Sequence, residues 1–317
     1  MKSKSKLREL LHFLRLVLRK PHIELDVLPE SDYHHELRPG DYEAFHFLFT
    51  SADGYITGGV RTLFGPDDVL EMLAVKMGEQ RWLQQRRVPL TQARDKADAS
   101  GDTLRLVCVT PWERWHARFE GTPNSLSDTP QLILDLTFNA TIAPAQLQMG
   151  DYTQVQQDGR FTGRIQTGAD VWDGELIAYR DHSWGQRGAG NAPGWLIVVI
   201  PENLYAFIIG DTQRTLLSMG RWVTETGDLR TTVAPQVRKT AEGWCISDPK
   251  AGVAPWTFTR LGPAGVSYLG QAGAEAARPD PQPGDLYKDE IGPALFTSAT
   301  GKTVVGFWDE ATRIKND

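Results

Sequence analysis

Cysteine is nearly absent from this 317-residue chain, with only Cys108 and Cys245. Two thiols so far apart offer neither a disulfide framework nor metal-ligand spacing, which fits a reducing, cytoplasmic setting. Cationic residues are also short: 34 Lys and Arg stand against 40 Asp and Glu, a net charge of −6. A dedicated nucleic-acid binder is normally basic, so that partner class is set aside. No run approaches the roughly 20 apolar residues that span a bilayer. P-loop, G-x-S-x-G and H-E-x-x-H patterns are missing too. What the chain does have is apolar bulk, 40% hydrophobic residues with ten tryptophans, enough to fill real cores.

The one basic region is residues 2–20, where seven Lys or Arg interleave with Leu7, Leu10, Leu11, Leu14, Val17 and Leu18. That helical spacing predicts an amphipathic helix over 1–22, stopped at Pro21. Such a helix lies either peripherally on an anionic membrane or on the protein's own body. A secretory signal is not expected, because no unbroken apolar core or small-residue cleavage site is present.

Beyond residue 22 the pattern is all-β. Glu43–Thr50 and Tyr55–Phe64 read as strands around a turn at 51–54, and further short strands follow at regular spacing. Val69–Gly78 reads as helix-like or irregular, and the Asp-Gly pairs at 158–159 and 173–174 read as turns. Many short strands separated by turn signals imply barrels or sandwiches. Two tandem antiparallel β-barrel domains are expected, over 23–190 and 191–317, with the Gly-rich stretch 188–194 between them. No strong internal repeat is visible, although 43–64 and 195–223 share a rhythm.

Chemistry concentrates in Tyr179–Gly190, which reads Y-R-D-H-S-W-G-Q-R-G-A-G. On a strand, Arg180, His182 and Trp184 share one face, while Asp181 and Ser183 take the other. Along 204–211, Tyr205, Phe207, Ile209 and Asp211 share a face. Asp211 at its end is either a buried, protonated carboxyl suited to general-acid work or the first residue of a turn. His34, His35 and His46 near Glu36 suggest metal ligands, but exposed polar histidines are the plainer reading, so no metal is expected. Pro111–His116 is aromatic-rich, either a pocket mouth or a barrel-closing cluster.

Three stretches together, Asp151–Gln154, Gly159–Gly163 and Tyr179–Gly185, resemble the AttH/CrtC-like superfamily, in its bacterial branch with the R-D-H-S-W-G signature. The resemblance implies two lipocalin-like β-barrels with an apolar pocket near their junction. The superfamily includes carotenoid 1,2-hydratases, and related folds serve as intramolecular cyclases, Diels–Alder enzymes among them. It further implies an enzyme without cofactor that hydrates or cyclises an apolar terpenoid or polyketide-like substrate. Asp211 would be the proton donor, His182 its orienting or relaying partner, and Trp184 and Tyr205 the cation-stabilising rings. Phe207, Arg180 and Trp195 would line the substrate. The hydratases carry a Tyr just before their Asp, where this chain has Ile209 and Gly210. A carrier of lipid or isoprenoid without turnover, or a shape-driven pericyclic cyclase, would leave much the same trace.

Overall fold

The computed structural model of the chain describes residues 22–24, 26–90, 95–123, 130–186, 194–210, 215–223, 226–232, 235–240, 243–249, 252–261, 266–271 and 286–313. The expected amphipathic helix, up to residue 21, and residues 188–193 of the Gly-rich stretch 188–194 lie outside them. Among the described residues, no helix is long and apolar enough to cross a membrane.

Eleven antiparallel strands make the first sheet. They begin with β1 (His22–Glu24), β2 (Tyr42–Thr50), β3 (Ile56–Phe64), β4 (Asp68–Met77), β5 (Gln80–Pro89) and β6 (Leu104–Thr110). They continue with β7 (Arg114–Gly121), β8 (Leu132–Ala140), β9 (Ala145–Met149), β10 (Tyr152–Thr167) and β11 (Asp170–Gly185). A second sheet holds β12 (Gly194–Ile200), β13 (Leu204–Gly210), β14 (Thr215–Val223), β15 (Leu229–Thr232) and β16 (Gln236–Thr240). Its remaining strands are β17 (Gly243–Asp248), β18 (Val253–Arg260), β19 (Val266–Gln271), β20 (Leu286–Ser298) and β21 (Thr303–Arg313).

Both sheets follow one plan. The first runs β5-β4-β3-β2-β11-β10-β8-β7-β6 with β9 on β10, and the second runs β15-β14-β13-β12-β21-β20-β18-β17-β16 with β19 on β20. In each, the last long hairpin sits mid-sheet beside the first meander, and the sheet curls around its own core. The molecule is therefore all-β, with two tandem lipocalin-like antiparallel barrels.

Strand β8 shows the simplest code. Leu132, Leu134, Leu136 and Phe138 are buried while Ile133, Asp135, Thr137 and Asn139 are partly exposed, so one face meets the core and one meets water. Strand β2 is buried on both faces. Phe45, Phe47 and Phe49 enter the first barrel, and Tyr42, Ala44 and Leu48 pack against Ile197, Val199 and Tyr205 of the second sheet. The same double burial explains Val69–Gly78, which is strand β4 and not an irregular segment. Residues 69–75 are buried without interruption, so the period-2 signal vanishes.

The two Asp-Gly pairs are also strand and not turn. Asp158-Gly159 lies within β10, where a Cβ on Gly159 would stand 2.4 Å from the Asn139 carbonyl oxygen. Glycine is present there for close approach of β8. Asp173-Gly174 lies within β11, opposite Arg164 and Gly163.

Candidate functional site

Strand β11 divides two polar regions. Its inner face carries Ala178, Arg180, His182 and Trp184 into the first barrel, and residues 28–41, which contain the 3-10 helix Pro29–Asp32, lie against that face. Arg180 is fully buried and ion-paired with Asp32, whose Oδ2 also accepts from the Trp112 backbone N–H at 2.7 Å and Trp115 Nε1 at 3.0 Å. The guanidinium rests 5.1 Å from each of the Trp112 and Trp115 ring centroids. The Pro111–His116 stretch thus supplies a barrel-closing cluster. Trp112 holds a left-handed backbone (φ 59), fixed by Gln157 Nε2, which donates to its carbonyl at 2.8 Å. Cys108 Sγ sits 3.8 Å from Asp32 Oδ2, and burial first, then Asp32, pushes its thiol up to about 12.

One layer further along, the Glu43 carboxylate is fully buried and surrounded by imidazoles. His35 Nδ1 lies 2.6 Å and His182 Nε2 2.9 Å from Glu43 Oε1, while His34 Nδ1 contacts Oε2. The His35 backbone N–H reaches both oxygens at 3.1 Å. Burial works to raise the Glu43 pKa, but the hydrogen bonds from the three histidines outweigh it and hold the carboxyl well below its ordinary range. His182 is lowered, chiefly by burial, against the pull of Glu43. Its ring stacks on Phe45 at 4.1 Å, and His35 stacks on Trp184 at 4.1 Å with planes 15° apart. His182 Nδ1 is buried and has no hydrogen-bond partner among the described residues.

The outer face of β10 and β11 meets the second sheet. Register pairs Asp158 with Tyr179, Gln156 with Asp181 and Gln154 with Ser183, so all six side chains share this face. Opposite them stand Tyr205 and Arg221. Tyr205 donates to the Gln156 carbonyl at 2.9 Å, and Arg221 donates to the carbonyls of Ala143 and Pro144. Tyr179 and Tyr205 meet edge to face, centroids 6.1 Å apart. Among the described residues, the Gln156 amide, the Tyr179 hydroxyl and Asp158 Oδ1 are buried without a hydrogen-bond partner.

Asp158 accepts from Thr141 Oγ1 at 2.7 Å. Burial is the dominant influence and pushes its pKa up to about 6, against the lowering effects of Thr141, the Glu202 backbone N–H and Arg160. Glu202 belongs to the β12–β13 turn and itself adopts a left-handed φ of 61°. Asp158 is thus touched from both sheets. Burial also lowers the Arg221 pKa and raises those of Tyr205 and Tyr179.

The residues singled out from the sequence therefore fall on two sides of one sheet. His182, Trp184 and Arg180 line the barrel interior. Tyr205 is at the junction, as is Trp195, whose Nε1 donates to Asp309 Oδ2 at 3.2 Å. Phe207 belongs to β13, with its side chain outside the described residues, and Asp211 lies outside them altogether. A register shift lies at Ile209/Gly210, at the end of β13.

The carboxylate beside His182 is Glu43, which sequence reasoning missed. Its signal was available: Glu43 heads the Phe45–Phe47–Phe49 face, and a carboxylate on an aromatic inner face needs partners. Glu36 is exposed, and His46 points to the other face of β2, so neither joins the cluster. Asp158 was missed because its Asp-Gly pair imitates a turn.

Solved structures of this architecture exist. A Nitrosomonas europaea protein assigned as AttH is 14% identical, with a TM-score of 0.60 over 91% of this chain and 97% of that one. Kievitone hydratase from Nectria haematococca is 11% identical, with a TM-score of 0.53 over 91% and 93%. Both are likenesses of fold. No curated protein matches the sequence significantly. The stretch from Leu28, just ahead of the Asp32 helix, to Pro249, just past β17, matches one family over well more than half the chain. The protein, over residues 28–249, belongs to the family described as Domain of unknown function (DUF7064).

Proposed function

We propose that this protein is a hydratase or cyclase-like enzyme that protonates an alkene of an apolar, terpenoid or polyketide-like substrate between its two sheets. The observation that carries the reading is Asp158, a carboxyl removed from water with its pKa raised to about 6 on the face that meets Tyr205 and Arg221. A carboxyl poised near the working pH is suited to give a proton and take one back.

In this scheme Asp158 transfers its proton to one alkene carbon, and the electron pair of the double bond forms the new C–H bond. The cation left on the neighbouring carbon faces the rings of Tyr179 and Tyr205, a contact worth about 2 kcal/mol when desolvated. Water held by the Gln156 amide and the Tyr179 hydroxyl attacks the cation, and its surplus proton returns to the Asp158 carboxylate. Where no water is held, an internal alkene captures the cation and a ring closes. The new cation then loses a C–H proton from an adjacent carbon to the Asp158 carboxylate, which leaves a cyclic alkene and restores the acid. The shared fold of kievitone hydratase, by its name a hydratase, supports the reading by analogy only.

The test uses a panel of acyclic terpenoid and polyketide alkenes in deuterium oxide, with wild type beside Asp158→Asn and Asp211→Asn. One deuterium on the product and a rate lowered about 100- to 10,000-fold in Asp158→Asn are expected. Unlabelled product from wild type, or an undiminished Asp158→Asn rate, overturns the role of Asp158. A loss confined to Asp211→Asn moves the acid to that residue.

A further inference from the structure

The Glu43 cluster lies across β11 from the junction, and the proton-transfer scheme leaves it unused. It gathers one ligand atom each from His35, Glu43 and His182, all within 4.8 Å of one another. We propose that these three side chains bind one divalent transition-metal ion of the zinc class, joining the 28–41 segment to β2 and β11.

The donor set fits that class. Imidazole and carboxylate ligands suit zinc and its first-row neighbours, whereas calcium and magnesium take oxygen shells. Ligand atoms around tetrahedral zinc stand about 3.3 Å apart at the usual zinc–nitrogen distance of about 2.0 Å. Glu43 Oε1 already lies 2.6 Å from His35 and 2.9 Å from His182, so the ion enters as those contacts open slightly. The two imidazole nitrogens close upon it by a turn of the His35 ring, which stands at the more open edge of the site with 26% of its side chain exposed.

The surroundings hold the ligands in place, as metal sites require. His182 is stacked on Phe45, His35 is stacked on Trp184, and the His35 backbone N–H ties the carboxylate. Asp32 already claims Arg180, so that guanidinium does not answer the Glu43 charge. His34, on the other carboxylate oxygen, stays in reach as an outer partner. Three protein ligands leave a fourth position for water. The sequence hides the set because its members come from a loop, the start of β2 and the last residues of β11 before Gly185.

The full chain is stripped with chelator, incubated with zinc chloride, desalted and assayed by elemental analysis, alongside His35→Ala, Glu43→Gln, His182→Gln and the control His116→Ala. Wild type and His116→Ala are expected to retain one zinc per chain. His35→Ala and Glu43→Gln are expected to bind more than about 100-fold more weakly, beyond the range commanded by outer-shell partners. Cobalt(II) should give a visible tetrahedral d–d spectrum that His35→Ala abolishes. If His182→Gln does not fold, the partly exposed His35 carries the test. Wild type that leaves desalting without stoichiometric zinc, or His35→Ala and Glu43→Gln that load like wild type, overturns the site.

Discussion

At the scale of single residues, two buried acids have opposite fates. Asp32 is met by a guanidinium, an indole N–H and a backbone N–H, so its charge is answered. Removing it strands Arg180 in the barrel: Asp32→Ala is expected to cost about 3–5 kcal/mol, read by urea unfolding. Asp158 has hydrogen-bond donors but a dominant burial penalty, and its folded pKa of about 6 lies above the ordinary 3.8. The folded chain therefore holds a proton that the unfolded chain releases between those two values. The stability from this group is complete below pH 3.8 and is lost as pH rises through about 6, by about 3 kcal/mol. Asp158→Asn should flatten that slope and be more stable than wild type at pH 7, while losing activity. Such a trade marks a residue kept for chemistry. A variant less stable at pH 7 would make Asp158 a structural brace.

At the scale of elements, β10 and β11 form the hinge between the two polar regions, and glycine sets their geometry. Gly185 closes the signature run with φ 101°, and a Cβ there would stand 2.0 Å from the Asp151 carbonyl oxygen. Gly185→Ala is expected to lose at least about 2 kcal/mol and to loosen the strand end that carries Trp184, seen as faster amide exchange at Tyr152 and Trp184. How far the chain could be read follows the same logic. Strands with one wet face, such as β8, are plain in the alternation of their residues. Strand β4, covered on both sides, loses the alternation, and the Asp158-Gly159 pair hides a mid-strand close approach behind a turn signal. His182 and Trp184 on one face were legible because β11 is regular there. Their carboxylate was not, because pairing of β11 with β2 brings Glu43 in from 139 residues away.

At the scale of the whole molecule, one strand order is used twice without a legible sequence repeat, since apolar pattern and pairing fix a sheet with few demands on identity. The two barrels share an apolar layer that includes Leu48, Ile177, Val199 and Phe307, and Tyr205 and Arg221 bond across it. Wild type is accordingly expected to melt in one calorimetric transition. Tyr205→Phe with Arg221→Met should split it in two, and a single sharp transition in the double variant would show that the apolar layer alone couples the halves. Cys108, sealed beside Asp32 with almost no thiolate at neutral pH, makes the first half separately observable. A maleimide added to the native protein should reach the partly exposed Cys245 early and wait for Cys108. The half-life of that delayed labelling is a stopwatch for the opening of one barrel, and breathing of the other leaves no mark on it.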